Sequence, residues 1–161
     1  MIRLVKRSDA QSICDIYNYY VQNTVVTFEE EAVLQAEMIK RIHEITEKYP
    51  WYVYETDGKI IGYAYASAWK SRCAYRYSVE CTVYLQNNYT GKGIGKALYE
   101  ALFSKLQQSN IHSIIGGIAL PNESSIALHE KFGFAKVAHF QEVGYKFDKW
   151  IDVAYWEKVL K

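Results

Sequence analysis

The run Tyr89-Thr-Gly-Lys-Gly-Ile-Gly-Lys96 carries the densest chemical signal in the chain. Gly91, Gly93 and Gly95 lack Cβ, so the backbone can approach a ligand closely and aim successive N–H groups at it. An apolar helical stripe begins at Ile94, and a helix N-terminus adds unpaired donors and the positive end of its dipole. The guest that suits such a turn is an anion, a phosphate or pyrophosphate, and Lys92 and Lys96 add positive charge beside it. Two phosphate motifs do not fit. The Walker pattern would need a glycine where Thr90 stands and a hydroxyl where Ala97 stands, and the dinucleotide pattern meets Lys96 or Leu98 where its third glycine belongs. A tight strand-to-helix turn holding no ligand would use the same glycines.

The elements that must hold this turn read as one series. Residues 2 to 5 form a short strand. Ser8-Asp9 offers a helix cap ahead of Ile13, Ile16, Tyr17, Tyr20 and Val21, one apolar helical stripe. A second helix spans about Glu31 to Thr46 and stops before Pro50. Trp51 to Glu55 and Lys59 to Trp69 are strands joined at Asp57-Gly58, a hairpin signal. Ser78 to Leu85 has period two, with Val79, Cys81, Val83 and Leu85 on one face and Glu80, Thr82 and Tyr84 on the other. After the glycine turn, Ile94, Ala97, Leu98, Ala101, Leu102 and Leu106 mark an amphipathic helix. His112 to Ala119 reads as a strand, Asn122 to Phe132 as a short helix ended by Gly133, and the aromatic remainder as strands to about Trp156. The order β-α-α-β-β-β-α-β-α-β-β predicts an α/β (α+β) fold: one three-layer domain over residues 1–161, with a mixed, mostly antiparallel central sheet flanked by helices on both faces.

Composition narrows the function classes. At 161 residues one domain can bury a real core without metal or disulfide staples. Nineteen basic against 18 acidic side chains, a formal charge of +1, give no electrostatic case for a nucleic-acid partner. The charge-free run Leu106 to Asn122 is broken by glutamines, a Gly-Gly pair and Pro121, so no membrane partner is expected. Cys14, Cys73 and Cys81 form no paired framework, and with early charges in place of a leader they predict a cytoplasmic protein. The histidines and cysteines show no metal-ligand spacing, so no metal is expected. Fifteen tyrosines suggest an interior with wet edges, a tunnel or groove, or simply an aromatic core.

Gly93 and Gly95 also fit [Q/R]xxGx[G/A], the acetyl-CoA signature of the GNAT superfamily, with Thr90 at the Gln/Arg position. That departure loses one side-chain contact to the phosphates and keeps the backbone ones. Asn122, Ser125, His129, Gly133 and Phe134 match the downstream N-x-x-A/S-x-x-x-Y/H-x-x-x-G-F pattern. Along nearly the whole chain the sequence resembles the phosphinothricin acetyltransferase branch, in Ile16-Tyr-Asn18, Thr27-Phe-Glu29, Gly62-Tyr-Ala-Tyr-Ala-Ser67, Trp69-x-x-Arg72-x-Ala-Tyr-Arg76, Glu80-x-x-Val-Tyr84, Leu120-Pro-Asn122, Leu128-His-Glu130 and Trp150-x-Asp-Val153.

The resemblance implies direct transfer of acetyl from acetyl-CoA, the co-substrate, to the primary amine of a small amino acid or analogue. The alternatives are a peptide N-terminus or other small amine as acceptor, or a CoA-binding regulatory module without turnover. It implies a strand that splays from its neighbour, so that Val83, Tyr84 and Leu85 meet the pantetheine arm and a freed N–H, that of Val83, polarises the thioester. The residues from Gly91 to Lys96 would hold the phosphates, with Asn122 and Ser125 as further cofactor contacts; Asn122 also suits a helix N-cap. Glu80 corresponds to the general base. Its ordinary pKa, near 4.3, is low for that task, so burial or a water relay is needed, and an ion pair with Arg72 or Arg76 is the alternative. His129 stands where much of the superfamily has an acidic tyrosine. Arg72, Tyr75 and Arg76 are the expected acceptor-binding residues, because a guanidinium fork pairs a carboxylate, with Phe28 and Tyr145 as walls. The family's tendency toward dimers makes a homodimer the expected assembly.

Overall fold

A computed structural model describes residues 1–161. Eleven regular elements follow the expected order: β1 (Ile2–Leu4), α1 (Ala10–Asn23), α2 (Gln35–Thr46), β2 (Trp51–Thr56), β3 (Lys59–Ala68), β4 (Ser78–Leu85), α3 (Ile94–Gln107), β5 (Ser113–Ala119), α4 (Glu123–Lys131), β6 (Ala135–Lys146) and β7 (Lys149–Val159). Seven strands form one sheet in the order β1-β2-β3-β4-β5-β7-β6. Only β4 and β5 pair in parallel; the other neighbours are antiparallel.

The period-two strands put an apolar face on each side of the sheet, and each face has its own helices. Ile13, Ile16, Val21, Met38 and Ile42 from α1 and α2 pack on Trp51, Val53 and Tyr63. Leu98, Tyr99, Leu102 and Leu106 from α3 pack on Ala64, Ala66, Val79 and Cys81 from the other side, where α4 also lies. This burial supplies most of the drive for the three-layer arrangement.

Two details differ from the sequence expectation. Helix α2 starts at Gln35 rather than near Glu31. The Asn18 carboxamide claims both backbone groups of Val33, accepting its N–H at 2.8 Å and donating to its carbonyl at 2.9 Å, which holds residues 24–34 as a strap instead of a helical turn. Asp9 precedes α1 but does not cap it. Its carboxylate turns back to accept the Lys6 N–H at 2.7 Å and to pair with the Arg3 guanidinium at 2.8 Å.

Strands β4 and β5 share three rungs, Ser78 with Ser113, Val79 with Ile114 and Glu80 with Ile115, and then part. Beyond that point β4 stays with β3 as far as Gly62–Leu85, and β5 stays with β7 as far as Ala119–Val153. The sheet is therefore forked, and Glu80 stands at the last rung before the opening.

Candidate active site

Hydrogen-bond parity decides what faces the fork. Gln86 donates to the Ile61 carbonyl and Trp69 to that of Ser78, and both couples lie on the β3–β4 register, so the even-numbered residues of β4 aim their backbone groups at β3. The odd-numbered ones aim at β5. Past the last rung no strand faces the N–H and C=O of Val83 or the N–H of Leu85. The Leu85 carbonyl is taken by the Tyr20 hydroxyl at the mouth of the opening. Val83 and Leu85, two of the expected pantetheine contacts, are thus residues whose backbone faces the fork. The Tyr84 backbone is engaged with Tyr63 on β3, its ring packs against Tyr17 and Tyr20, and the residue borders the cleft.

A cleft of about 530 Å³ opens from the fork. Its floor is Val83 to Leu85, one wall is the glycine turn, and the opposite wall is the face of α4 bearing Asn122, Ser125 and Leu128. Gly91 and Gly93 have φ of +73° and +79°, the left-handed region that a side chain resists, and Gly93 is the N-cap residue of α3. The turn thus points the first amides of α3 into the cleft. Gly95 and Lys96 line it, while the Ile94 side chain is buried in the core. Lys92 lies outside the lining, its ammonium 4.8 Å from the Tyr89 ring centre. Asn122 caps α4 as expected, its Oδ1 accepting the Ser125 N–H at 3.1 Å. An extended, partly apolar floor with free backbone groups beside an amide cradle fits a thioester carrier with a pantetheine arm and a pyrophosphate.

Two successive glycines on β5 bring the other functional groups up to the fork. Neighbouring strand residues face opposite sides of a sheet. A Cβ on Gly116 would lie 2.6 Å from His129 Nε2, and one on Gly117 would lie 2.9 Å from the Tyr155 ring and 3.4 Å from Glu80 Oε1. Glu80 and His129 therefore flank the fork from opposite faces and do not meet. Glu80 has no ion-pair or hydrogen-bond partner, and burial pushes its carboxyl above the ordinary glutamate value. The alternative of a pair with Arg72 or Arg76 is absent.

His129 is 3% exposed and wedged between α4 and the sheet. Its Nδ1–H donates to the Ser125 carbonyl at 2.7 Å, which leaves Nε2 to accept from the Tyr99 hydroxyl at 3.2 Å. Burial pushes its pKa down and keeps the ring neutral.

The face of Glu80 is strongly aromatic. Tyr65 and Thr82 flank it on the neighbouring rung, and Tyr155 lies over Gly117. The Tyr155 ring has Trp69 edge-on at 5.5 Å and Phe140 edge-on at 5.8 Å. Phe28 closes this side with its ring seated against Gly144, where a side chain would collide with it. The strap carrying Phe28 is fastened through Tyr17 to Thr27 and Glu29, through Arg41 to Glu29, and through the buried Lys146 ammonium, which donates to the Thr27 carbonyl at 2.8 Å.

Two expected acceptor residues lie away from the fork. Tyr145 lies between Gly144 and Lys146, both directed at the strap, so it points to the other face, where its ring meets Trp150 at 4.7 Å. Arg76 bonds the Cys73 carbonyl, stacks over Tyr77 at 4.5 Å, and lines a separate groove with Leu4, Tyr49 and Lys105. The three-residue helical turn Cys73–Tyr75 reverses the chain and carries it there. Arg72 and Tyr75 are exposed on that turn and its approach, without polar partners to their side chains. Sequence reasoning missed the placement of Phe140 and Tyr155 on the face of Glu80, the Tyr99 partner of His129, and Gly116-Gly117. The last had a readable signal, since paired glycines inside a strand mark close approach by other groups.

Comparison with known proteins agrees with this geometry. Residues 2–155 match the model of the Acetyltransferase (GNAT) domain. The chain is 35% identical over 157 residues to the phosphinothricin N-acetyltransferase of Streptomyces viridochromogenes, covering 98% of this chain and 86% of the relative. It is 32% identical over 156 residues to an L-methionine sulfoximine/L-methionine sulfone acetyltransferase of Salmonella typhimurium, covering 96% and 91%. Among solved structures, a GNAT superfamily phosphinothricin acetyltransferase from Sinorhizobium meliloti in complex with AcCoA superposes with a TM-score of 0.96 at 39% identity, over 99% of this chain and 88% of that one.

Proposed function

Because the chain belongs to the GNAT acetyltransferase domain family and is an acetyl-CoA-dependent N-acetyltransferase, we propose that its acceptor is the α-amine of a free amino acid or amino-acid analogue of the phosphinothricin and methionine sulfoximine kind. The forked sheet, with an unpartnered carboxylate at its apex, is the observation that carries this reading. The names of the relatives narrow the acceptor class.

In this reading Val83 and Leu85 hold the pantetheine arm as a neighbouring strand would, and the α3 amides hold the pyrophosphate. The Val83 N–H donates to the thioester oxygen as charge builds there; losing such a donor costs about 2.7–4 kcal/mol elsewhere. Glu80 takes a proton from the ammonium on the aromatic face, directly or through water, and its raised pKa suits that task. The reaction balances when the ammonium gives up two protons, one to solvent by way of Glu80 and one to the departing sulfur. We assign the second to His129 with a condition set by its surroundings. With Nδ1–H committed to Ser125 and the ring neutral, Nε2 must accept a proton before it delivers one.

Trp69, Phe140, Tyr155 and Phe28 would hold the acceptor side chain, and Arg72 would reach in for its carboxylate. No helix is long and apolar enough to cross a membrane. We place the protein in the cytoplasm as a homodimer with no nucleic-acid or membrane partner. Three unpaired cysteines support that compartment, and the exposed apolar residues Val143 and Trp150 on the β6–β7 hairpin support self-association.

The test is thiol release from acetyl-CoA with phosphinothricin, methionine sulfoximine, methionine, a short peptide and a polyamine. Release dependent on the amino-acid acceptors supports the proposal. Release with the peptide or polyamine alone overturns the acceptor class, and CoA binding without release from any of them overturns turnover itself.

A further inference from the structure

Gly144 and Lys146 meet the strap because of an irregularity in β6, and the side chain that holds it lies on the other face of the sheet. Phe140 pairs with Val153 and Gly144 with Ile151, so Gln141, Glu142 and Val143 stand opposite Asp152 alone. Regular pairing carried on from Phe140 would set Gly144 opposite Lys149 instead of Ile151, a slide of about 7 Å along β7. Glu142, in the middle, has φ of +51°, which a residue with a Cβ resists, and β6 is an edge of the sheet with no outer strand to hold it.

The fastening is Asp152. Its Oδ1 accepts the Glu142 N–H at 2.8 Å, and its Oδ2 accepts from His139 Nε2 at 2.8 Å. The Lys136 ammonium has no lone pair and donates to His139 Nδ1 at 3.1 Å, which places the imidazole proton on Nε2, aimed at Asp152. The bonds from His139 and Glu142 hold the Asp152 carboxyl below the ordinary aspartate range. The Asp152 backbone is fixed as well, its carbonyl accepting the Leu120 N–H at 2.9 Å. Asp152 shares its face of β7 with Ala154 and Trp156, core residues of the α3–α4 side, whereas Ile151, Val153 and Tyr155 face the side of Glu80. Its carboxylate is therefore screened from an acceptor by the sheet and acts through the β6 backbone.

We propose that Asp152 is a positioning residue for the acceptor: by holding the Glu142 amide from the far face, it sets the register at which Gly144 seats Phe28 and Lys146 reaches Thr27. Lys136 and His139 keep the carboxylate directed at the bulge. The inference rests on the acceptor occupying the face of Glu80.

Asp152→Ala and Asp152→Asn are compared with the native chain, the asparagine because its carboxamide oxygen still accepts the Glu142 N–H. In steady-state kinetics with phosphinothricin and methionine sulfoximine, Asp152→Ala should raise the acceptor KM several-fold with kcat and CoA affinity nearly unchanged, and Asp152→Asn should restore KM. In the chain without substrates, acylation of Lys146 by N-hydroxysuccinimide acetate is followed by mass spectrometry. Buried and bonded to Thr27, Lys146 should react slowly in the native chain and in Asp152→Asn, and several-fold faster in Asp152→Ala, with lysines outside β6 unchanged. Lys146 as protected in Asp152→Ala as in the native chain overturns the proposal. So does a fall in CoA affinity alongside the acceptor defect, or a failure of asparagine to restore KM, since either makes Asp152 a general prop of the fold. If the native chain turns over neither acceptor while the labelling still separates the variants, the acceptor reading fails and the hold of Asp152 on the register is upheld.

Discussion

Glu80 is a half-buried carboxylate with no cation within reach, and a carboxylate kept in that state costs stability unless it serves another purpose. Glu80→Gln should lower kcat by about 10²- to 10⁴-fold with CoA affinity unchanged, checked by steady-state kinetics beside a binding titration. Because burial raises the native pKa, the acid limb of kcat/KM should lie above the ordinary glutamate value, with the rate falling as pH drops through it. Stability runs the other way. A carboxyl whose folded pKa is raised favours the native state at low pH, and that contribution is lost as pH rises through the folded pKa. Glu80→Gln should therefore melt higher than the native chain near neutral pH, with the gain fading on acidification. A lower melting temperature at neutral pH would mean that Glu80 has an unrecognised partner. Glu80 was singled out through the resemblance, its position as the only charge in the strand adding support, and Asn122 was legible because proline, asparagine and a following helix spell a cap. Tyr145 was not. It was expected as a wall only through the resemblance, whereas alternation from Gly144, past the two-residue bulge around Glu142 with φ of +51°, turns its ring to the opposite face and onto Trp150.

At the scale of elements, close approach at glycine predicts contrasting outcomes. At Gly144 the crowded group is the end of the Phe28 side chain, half exposed on the strap and free to swing. Gly144→Ala should raise the acceptor KM several-fold with CoA affinity and melting temperature nearly unchanged. Phe28→Ala should show the same defect, and the double variant should add little to either, since both changes act through one ring. Full additivity would separate the ring from the glycine. At Gly116 the neighbour is a histidine ring pinned on both nitrogens and unable to move away. Gly116→Ala should cost roughly 1–3 kcal/mol by chemical denaturation, as overpacking of a tight core does. The glycine turn was readable because its chemistry is local. The strap was not, because it depends on Asn18, Arg41 and Lys146, which are brought together only by the fold.

Over the whole molecule, the sheet divides the work. One face presents the aromatic acceptor side around Glu80, the other the α3–α4 side with His129, and the fork joins them without crossing the core. Element order and the two-faced burial followed from hydrophobic periodicity. The fork could be expected only through the resemblance, because pairing between Ser78–Glu80 and Ser113–Ile115 is a long-range choice that no local pattern encodes. The tyrosines also find places at this scale. Tyr17, Tyr65 and Tyr84 cluster on the acceptor face, with the Tyr17 and Tyr84 rings edge-on at 5.3 Å, and Tyr20 guards the mouth of the fork.

The central claim is that the fork receives the acyl carrier as a substitute strand, and amide hydrogen exchange at β4 tests it most directly. On saturation with acetyl-CoA, the amides of Val83 and Leu85 should gain protection, while that of Tyr84, already paired with β3, should change little. Exchange at Val83 that is the same with and without bound acetyl-CoA would contradict the account.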